Sequence, residues 1–215
     1  MLTDNDHKRI ADAITRAESK TLGEIFCVLA HEVSRYREVP LVWASAAALL
    51  LPALAVLAGF DPFSASWGDI STRELLTTYS LLQAALFLAV ALIVAQPPVR
   101  RLMTPRFLKR HRVRQMARHH FAAGSARLSH AEPHILIYAS LADRQVELVA
   151  HDAIHRAVGE GPWNAAVAAV TAGMKARRPA DGFIRAIEIC GEVLAVHFPS
   201  DGHARNVLPN DILET

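Results

Sequence analysis

Two uncharged apolar stretches decide what this chain can fold into. Residues 39–60 read VPLVWASAAALLLPALAVLAGF and residues 75–99 read LLTTYSLLQAALFLAVALIVAQPPV; neither contains Asp, Glu, Lys or Arg. An α-helix rises 1.5 Å per residue, so about 20 apolar residues cross the roughly 30 Å hydrocarbon core of a bilayer. Both stretches are long enough. Trp43, Phe60, Trp67 and Tyr79 stand at their edges, the residue types that favour the membrane interface. Pro52 would break a helix in water and is tolerated in lipid with a kink. A soluble domain of 215 residues has too little interior to surround two such helices. The composition, 52% hydrophobic with a mean hydropathy of +0.19, agrees.

Charge sets the expected orientation. The formal net charge is only +2, yet Arg100, Arg101, Arg106, Lys109, Arg110, Arg112, Arg114 and Arg118 follow the second stretch with no acid among them. The loop between the stretches has one basic residue, Arg73, and the flank before the first has Arg35 and Arg37. Basic residues stay on the cytoplasmic side. The expectation is a multi-pass membrane protein with two spans, a short outward loop and both termini cytoplasmic. A basic run directly beside a span suits anionic lipid headgroups, at about 1 kcal/mol per Lys or Arg near the surface. Arg100, Arg101, Arg106, Lys109, Arg110, Arg112 and Arg114 are therefore assigned to headgroups and not to nucleic acid. The first twenty residues are polar and charged, unlike a signal peptide. Cys27 and Cys190 lie in apolar patterns and read as buried free thiols.

The polar remainder divides around the hairpin. Before it, residues 4–19 carry Ile10, Ile14 and Ala17 at helical spacing, with Thr3 or Asp4 as cap. EIFCVLAHEV (24–33) follows as a strand rich in branched residues. One helix and one strand cannot bury a core alone, so they need partners from beyond the hairpin. There, residues 100–128 read as a helix with one basic face. HILIYASL (134–141) reads as a central strand covered on both faces. Ala142-Asp143 makes a turn into RQVELVA (144–150), a following antiparallel strand. Helices at 163–178 and 181–198 complete the unit, and the chain after Pro199 is a polar tail. The predicted fold class is α/β, a small sheet flanked by helices and interrupted by a two-helix transmembrane hairpin. Its parts are residues 1–38, the hairpin at 39–99 (spans 39–60 and 75–99), residues 100–198, and the tail at 199–215.

In this order the segments resemble the TPM domain family. The family pattern has a helix, a Thr-Gly-Glu-Ile type approach to a first strand, an apolar strand ending in a Leu-x-x-Arg turn, a second strand, and helices. Here the approach is Thr21-Leu22-Gly23-Glu24-Ile25, and the later segment is ILIYASLADRQVELVAHDAIHRAVG (135–159), followed by Trp163. The resemblance covers about 110 residues on both sides of the hairpin and is greatest to bacterial members in which a membrane hairpin interrupts the domain. It implies several roles, because some members are reported as acid phosphatases, some bind calcium, and some act in assembly or repair of membrane complexes. Family identity does not fix function. This sequence has Ala131-Glu132-Pro133-His134 where members often carry Asp-Asn-Gly, and His151-Asp152 where they often carry a glycine-rich segment.

The residues themselves offer few chemical constellations. His151-Asp152-Ala153-Ile154-His155 comes close to the H-E-x-x-H zinc-protease signature. If Asp152 caps the following helix, His151 lies outside it and shares no face with His155. No metal site is therefore expected; the competing reading uses His151, Asp152 and His155 with Glu188 or Glu192 as a further ligand. Asp143, Arg144 and Asp152 are the candidates for catalysis, since Arg suits phosphate geometry, with Glu24 as a partner for Arg144. Arg118-His119-His120 reads as a solvated face. No cofactor is expected, with Ca²⁺ implied only by the resemblance. The expected function is a non-enzymatic interaction or assembly module at the inner face of the membrane, engaging the bilayer, anionic headgroups and another membrane protein. The alternative is a membrane-bound phosphatase acting on phosphate esters, dependent on divalent cations.

Overall fold

The computed structural model describes residues 2–59, 71–126, 133–159, 161–201 and 209–215. The chain forms two compact units: Met1–Ser34 with Phe107–Thr215, and Arg35–Arg106.

The first unit is α/β. Helix α1 (Asp4–Glu18) begins with a capping box, in which Thr3 accepts from the Asp6 amide and Asp6 bonds back to the Thr3 amide. Strand β1 (Glu24–Ala30) follows. The segment after it leads into the second unit, described below as α2, α3 and α4. On return, α5 (Arg106–Ser125), β2 (His134–Ser140), β3 (Gln145–Ala150), α6 (Asp152–Ala157), α7 (Gly161–Lys175), α8 (Pro179–His197) and β4 (Ile212–Glu214) complete the chain. The sheet order is β3-β2-β1-β4. β1 pairs parallel with β2 and with β4, whereas β2 and β3 form an antiparallel hairpin. Parallel neighbours need a crossover connection, and here the β1-to-β2 crossover carries the whole second unit.

Every residue of β2 is buried, as its unbroken apolar run predicts for a strand covered on both faces. On one face Ile135 and Ile137 join Ile10, Ile14, Phe183 and Leu194. On the other, Leu136 and Tyr138 pack with Val113 and Ala117 of α5. Cys27 and Cys190 are buried free thiols. Burial pushes the Cys190 thiol up to about 12 and the Cys27 thiol well above its ordinary value, so neither supplies a thiolate nucleophile.

Two expectations change. The helix predicted through 100–128 breaks in two. α4 ends at Met103, α5 starts at Arg106, and Thr104 between them is extended (φ −77°, ψ 118°). Pro105 is the cause, because its ring disfavours a helical conformation at the preceding residue. Residues 127 and 128 lie outside the described residues. The polar tail ends in β4, whose Ile212 is buried and pairs with Cys27.

The second unit contains α2 (Glu38–Leu57), α3 (Thr72–Ala95) and α4 (Pro97–Met103). α2 and α3 are both long and apolar enough to cross a membrane. Ala44 and Ala48 on α2 are buried, a small-residue pair four apart that lets backbones approach. Gln83 of α3 donates to the Ala48 carbonyl at 3.1 Å, and Trp43 Nε1 donates to the Met103 carbonyl at 3.0 Å. Val39 and Pro40 at the start of α2 are also buried, most of the remaining large apolar side chains of the two helices are exposed, and Val94 is the one buried residue of α3. Of the expected interface aromatics, Phe60 and Trp67 lie outside the described residues.

Candidate functional site

β3 is an edge strand, and a groove of about 700 Å³ runs along it, lined by all of residues 144–150. The backbone pattern follows from the register. His151 N–H donates to the His134 carbonyl at 2.9 Å, and hydrogen-bonded pairs alternate along an antiparallel ladder. Gln145, Glu147 and Val149 therefore turn their amides toward β2. Val146, Leu148 and Ala150 turn theirs to the open edge. The side chains divide the same way. Val146, Leu148 and Ala150 pack on the large core, whereas Val149 packs on the α5 side.

Two helices wall this edge. On one side α5 presents Arg110, Arg114 and Arg118, spaced four apart and all exposed. On the other α7 presents Trp163, Asn164, Val167 and Thr171. Arg110 Nε lies 3.9 Å from Glu147 Oε1. Among the described residues Arg114, Arg118 and Arg144 make no ion pair. Arg144 stands at one end of the groove in left-handed backbone (φ 53°), a conformation that costs of order 1 kcal/mol for a residue with a side chain. Trp163 is buried and its Nε1 has no hydrogen-bond partner among the described residues.

The candidates named from sequence divide between this groove and its surroundings. Arg144, Asp152 and His155 line it. Asp143 does not; it is buried in the turn, where its carboxylate accepts the Ser140 hydroxyl at 2.9 Å. Glu24 cannot reach Arg144. It pairs with His134 at the start of the sheet, whereas Arg144 follows Ser140 at the opposite end, roughly 20 Å away at 3.3 Å per residue.

The capping expectation is also corrected. His151, not Asp152, is the N-cap of α6; it is extended (φ −61°, ψ 148°), and its Nδ1 accepts the Ala153 amide at 3.3 Å. Asp152 is the first helical residue. The reason is the sheet, since the bond from His151 N–H to His134 keeps His151 in strand geometry up to the point where the helix begins. Its ring lies 5.1 Å from that of His134, while His155 faces the groove. His134 is itself stacked on Phe121 at 4.6 Å and bonded to Ser125 Oγ at 2.6 Å. Among the described residues no three His, Cys, Asp or Glu side chains are placed to hold a metal ion.

Of the basic run, Arg100 and Arg101 are on α4, in the second unit, whereas Arg110 and Arg114 wall the groove with Arg118. The arginine stripe was legible in the i, i+4 spacing. Trp163, Asn164 and Thr171 carried no local signal, because only the packing of α7 beside β3 brings them there.

Fold and site together define an α/β domain with an open, basic sheet edge, its β1-to-β2 crossover interrupted by an apolar helical hairpin. The NMR structure of the BA42 protein from the psychrophilic bacterium Bizionia argentinensis is similar to it, with a TM-score of 0.58 and 18% identity over 100% of this chain and 96% of that one. At that identity the likeness concerns the fold alone. No protein-family model and no curated protein matches.

Proposed function

We propose that this chain is a membrane-anchored, TPM-like interaction module, held at the inner face of a bilayer by α2 and α3 and engaging another protein through its first unit. The observation that carries the reading is the groove along β3, which combines an open strand edge with Arg114, Arg118 and Arg144, three arginines that make no ion pair among the described residues. Such an edge is a template for pairing with another chain. The anchor reading is supported by the outward apolar side chains of α2 and α3, whose most hydrophobic windows are only 22% and 6% buried. A core helix of a soluble protein would be mostly covered. Cytoplasmic termini follow from the basic residues after α3 against the single Arg73 at its outer end. Arg100 and Arg101 contact anionic headgroups in this reading.

The test is site-specific photocrosslinking in native membranes from Gln145 and Asn164, with Lys8 as a remote control. Crosslinks to one membrane protein from the two groove positions alone support the module. Crosslinks from Lys8 and the groove alike, or from neither, count against it.

A second reading, a phosphatase, is favoured by Arg144, Asp152 and His155 lining one groove. It requires phosphate release from a generic ester, with or without Ca²⁺ or Mg²⁺, and loss of that release in Asp152→Asn.

A further inference from the structure

We infer that the groove takes an extended acidic segment of a partner protein, which adds to the sheet as a strand beside β3 and alternates acidic with apolar side chains. This rests on the interaction-module reading and names the chemistry of its partner.

Three observations converge on it. First, the backbone is ready. β3 is six residues long and stands at the edge of the sheet, and the amides of Val146, Leu148 and Ala150 point to that edge and make no backbone hydrogen bond there among the described residues. Backbone pairing of this kind gives affinity, while alternate side-chain pockets give specificity.

Second, the two walls differ in chemistry. Successive side chains of a strand point to opposite faces. A strand laid against β3 would direct one set toward α5 and the other toward α7. The α5 wall offers Arg110, Arg114 and Arg118, whereas the α7 wall offers Trp163 and Val167. Acids therefore belong at every second position, with apolar residues between them.

Third, the spacings match. Residues four apart on a helix are separated by about 6 Å along its axis. Alternate side chains of a strand are separated by about 6.6 Å. Three arginines on α5 can thus each meet one acid of a single extended segment. Arginine's planar fork also suits bidentate carboxylate binding. Glu147 already lies near Arg110, a carboxylate of the chain's own strand in the position that the partner's acids would continue.

Lipid headgroups are the other anions within reach of basic residues near a membrane. The division between an arginine wall and an apolar wall about an open strand edge favours the peptide, because a headgroup uses neither the edge nor Trp163.

The test uses the full-length chain in a mild non-ionic detergent and a fluorescent peptide of alternating glutamate and valine. Anisotropy should show binding that weakens as salt rises, with no binding of the lysine–valine counterpart. Arg114→Gln and Arg118→Gln should each weaken it roughly tenfold, as loss of a desolvated charge pair implies, while thermal melting stays unchanged. N-methylation of the peptide at every second residue, in the register that faces β3, should abolish binding; the same modification in the other register should not. Equal binding of both N-methylated peptides, or of the lysine–valine peptide, overturns the inference. So does a result in which the arginine variants lose retention on phosphatidylserine vesicles while the acidic peptide never binds. Photocrosslinks from Gln145 and Asn164 that persist without acidic-peptide binding would retain the interaction module and reject strand addition alone.

Discussion

The Glu18 carboxylate accepts the Ile25 amide at 2.9 Å inside the junction between α1 and β1. Burial pushes this carboxyl up to about 8 from an ordinary 4.5; the Ile25 amide opposes the shift and the nearby Glu24 charge adds to it. The folded chain therefore keeps a proton that the unfolded chain gives up. The stability this contributes is complete below about 4.5 and is lost as pH rises to about 8. Glu18→Gln keeps an acceptor for Ile25 and removes the titration. Its melting temperature should fall less than that of the wild type across that window and exceed it at the alkaline end. Parallel pH profiles for the two proteins would refute the assignment.

At the same end of the sheet, where His151 bonds to His134 and Glu24 lies beside it in register, the start of α6 makes a sharper prediction. With His151 as cap, His151→Ala should lose about 0.5–1 kcal/mol, and His151→Asn should restore it. Asp152 at the first helical position acts through its charge near the helix N-terminus. Asp152→Glu should therefore be silent and Asp152→Ser should not be, with the difference shrinking in high salt. Rescue by Asp152→Ser and not by Asp152→Glu would return the cap to Asp152. Chemical denaturation of the four variants decides between the two.

This cap shows what sequence could and could not convey. Asp before a helical run is a sound local cap signal, but a long-range bond to His134 extended the strand by one residue and moved the cap with it. The central strand at 134–140 was legible because burial on both faces leaves an unbroken apolar run. β4 was not, since three residues with one buried side chain carry no period; its place depends on backbone pairing with β1, including Thr215 N–H to the Leu29 carbonyl at 3.1 Å. Likewise, the basic residues of α5 were visible as a stripe. That Arg110, Arg114 and Arg118 of the stripe line the groove along β3 is a fact of topology that no local pattern conveys.

Close helix packing gives a third test. A Cβ on Gly173 of α7 would lie 2.7 Å from Gly182 Cα and 2.8 Å from the Arg178 carbonyl oxygen. Both are backbone atoms that cannot swing aside, so α7 and α8 would have to part. Gly173→Ala should cost roughly 1–3 kcal/mol, the usual range for overpacking. Gly161→Ala, at the exposed start of the same helix with nothing within 4 Å, is the control and should melt like the wild type. An unchanged melting temperature in Gly173→Ala would mean that the two helices are less tightly packed than described.

The last test separates the two units. The first keeps its own core, with β1 pairing β2 and β4, α1 and α8 on one face and α5 on the other. None of those contacts needs residues 35–106. Replacing that stretch with a flexible linker between Ser34 and Phe107 lengthens or shortens a crossover, and loop-closure entropy changes only slowly with loop length. The excised chain should therefore be soluble without detergent, melt cooperatively, and retain the circular-dichroism signature of a mixed α/β domain. The full chain exposes Leu50, Leu54, Leu82 and Leu92 on its two apolar helices, and it should remain with the membrane fraction until detergent is added. If the excised chain showed no cooperative transition, the hairpin would have to contribute to the folding of the α/β unit. If the full chain stayed in solution without detergent, α2 and α3 would have to be covered by protein and not by lipid.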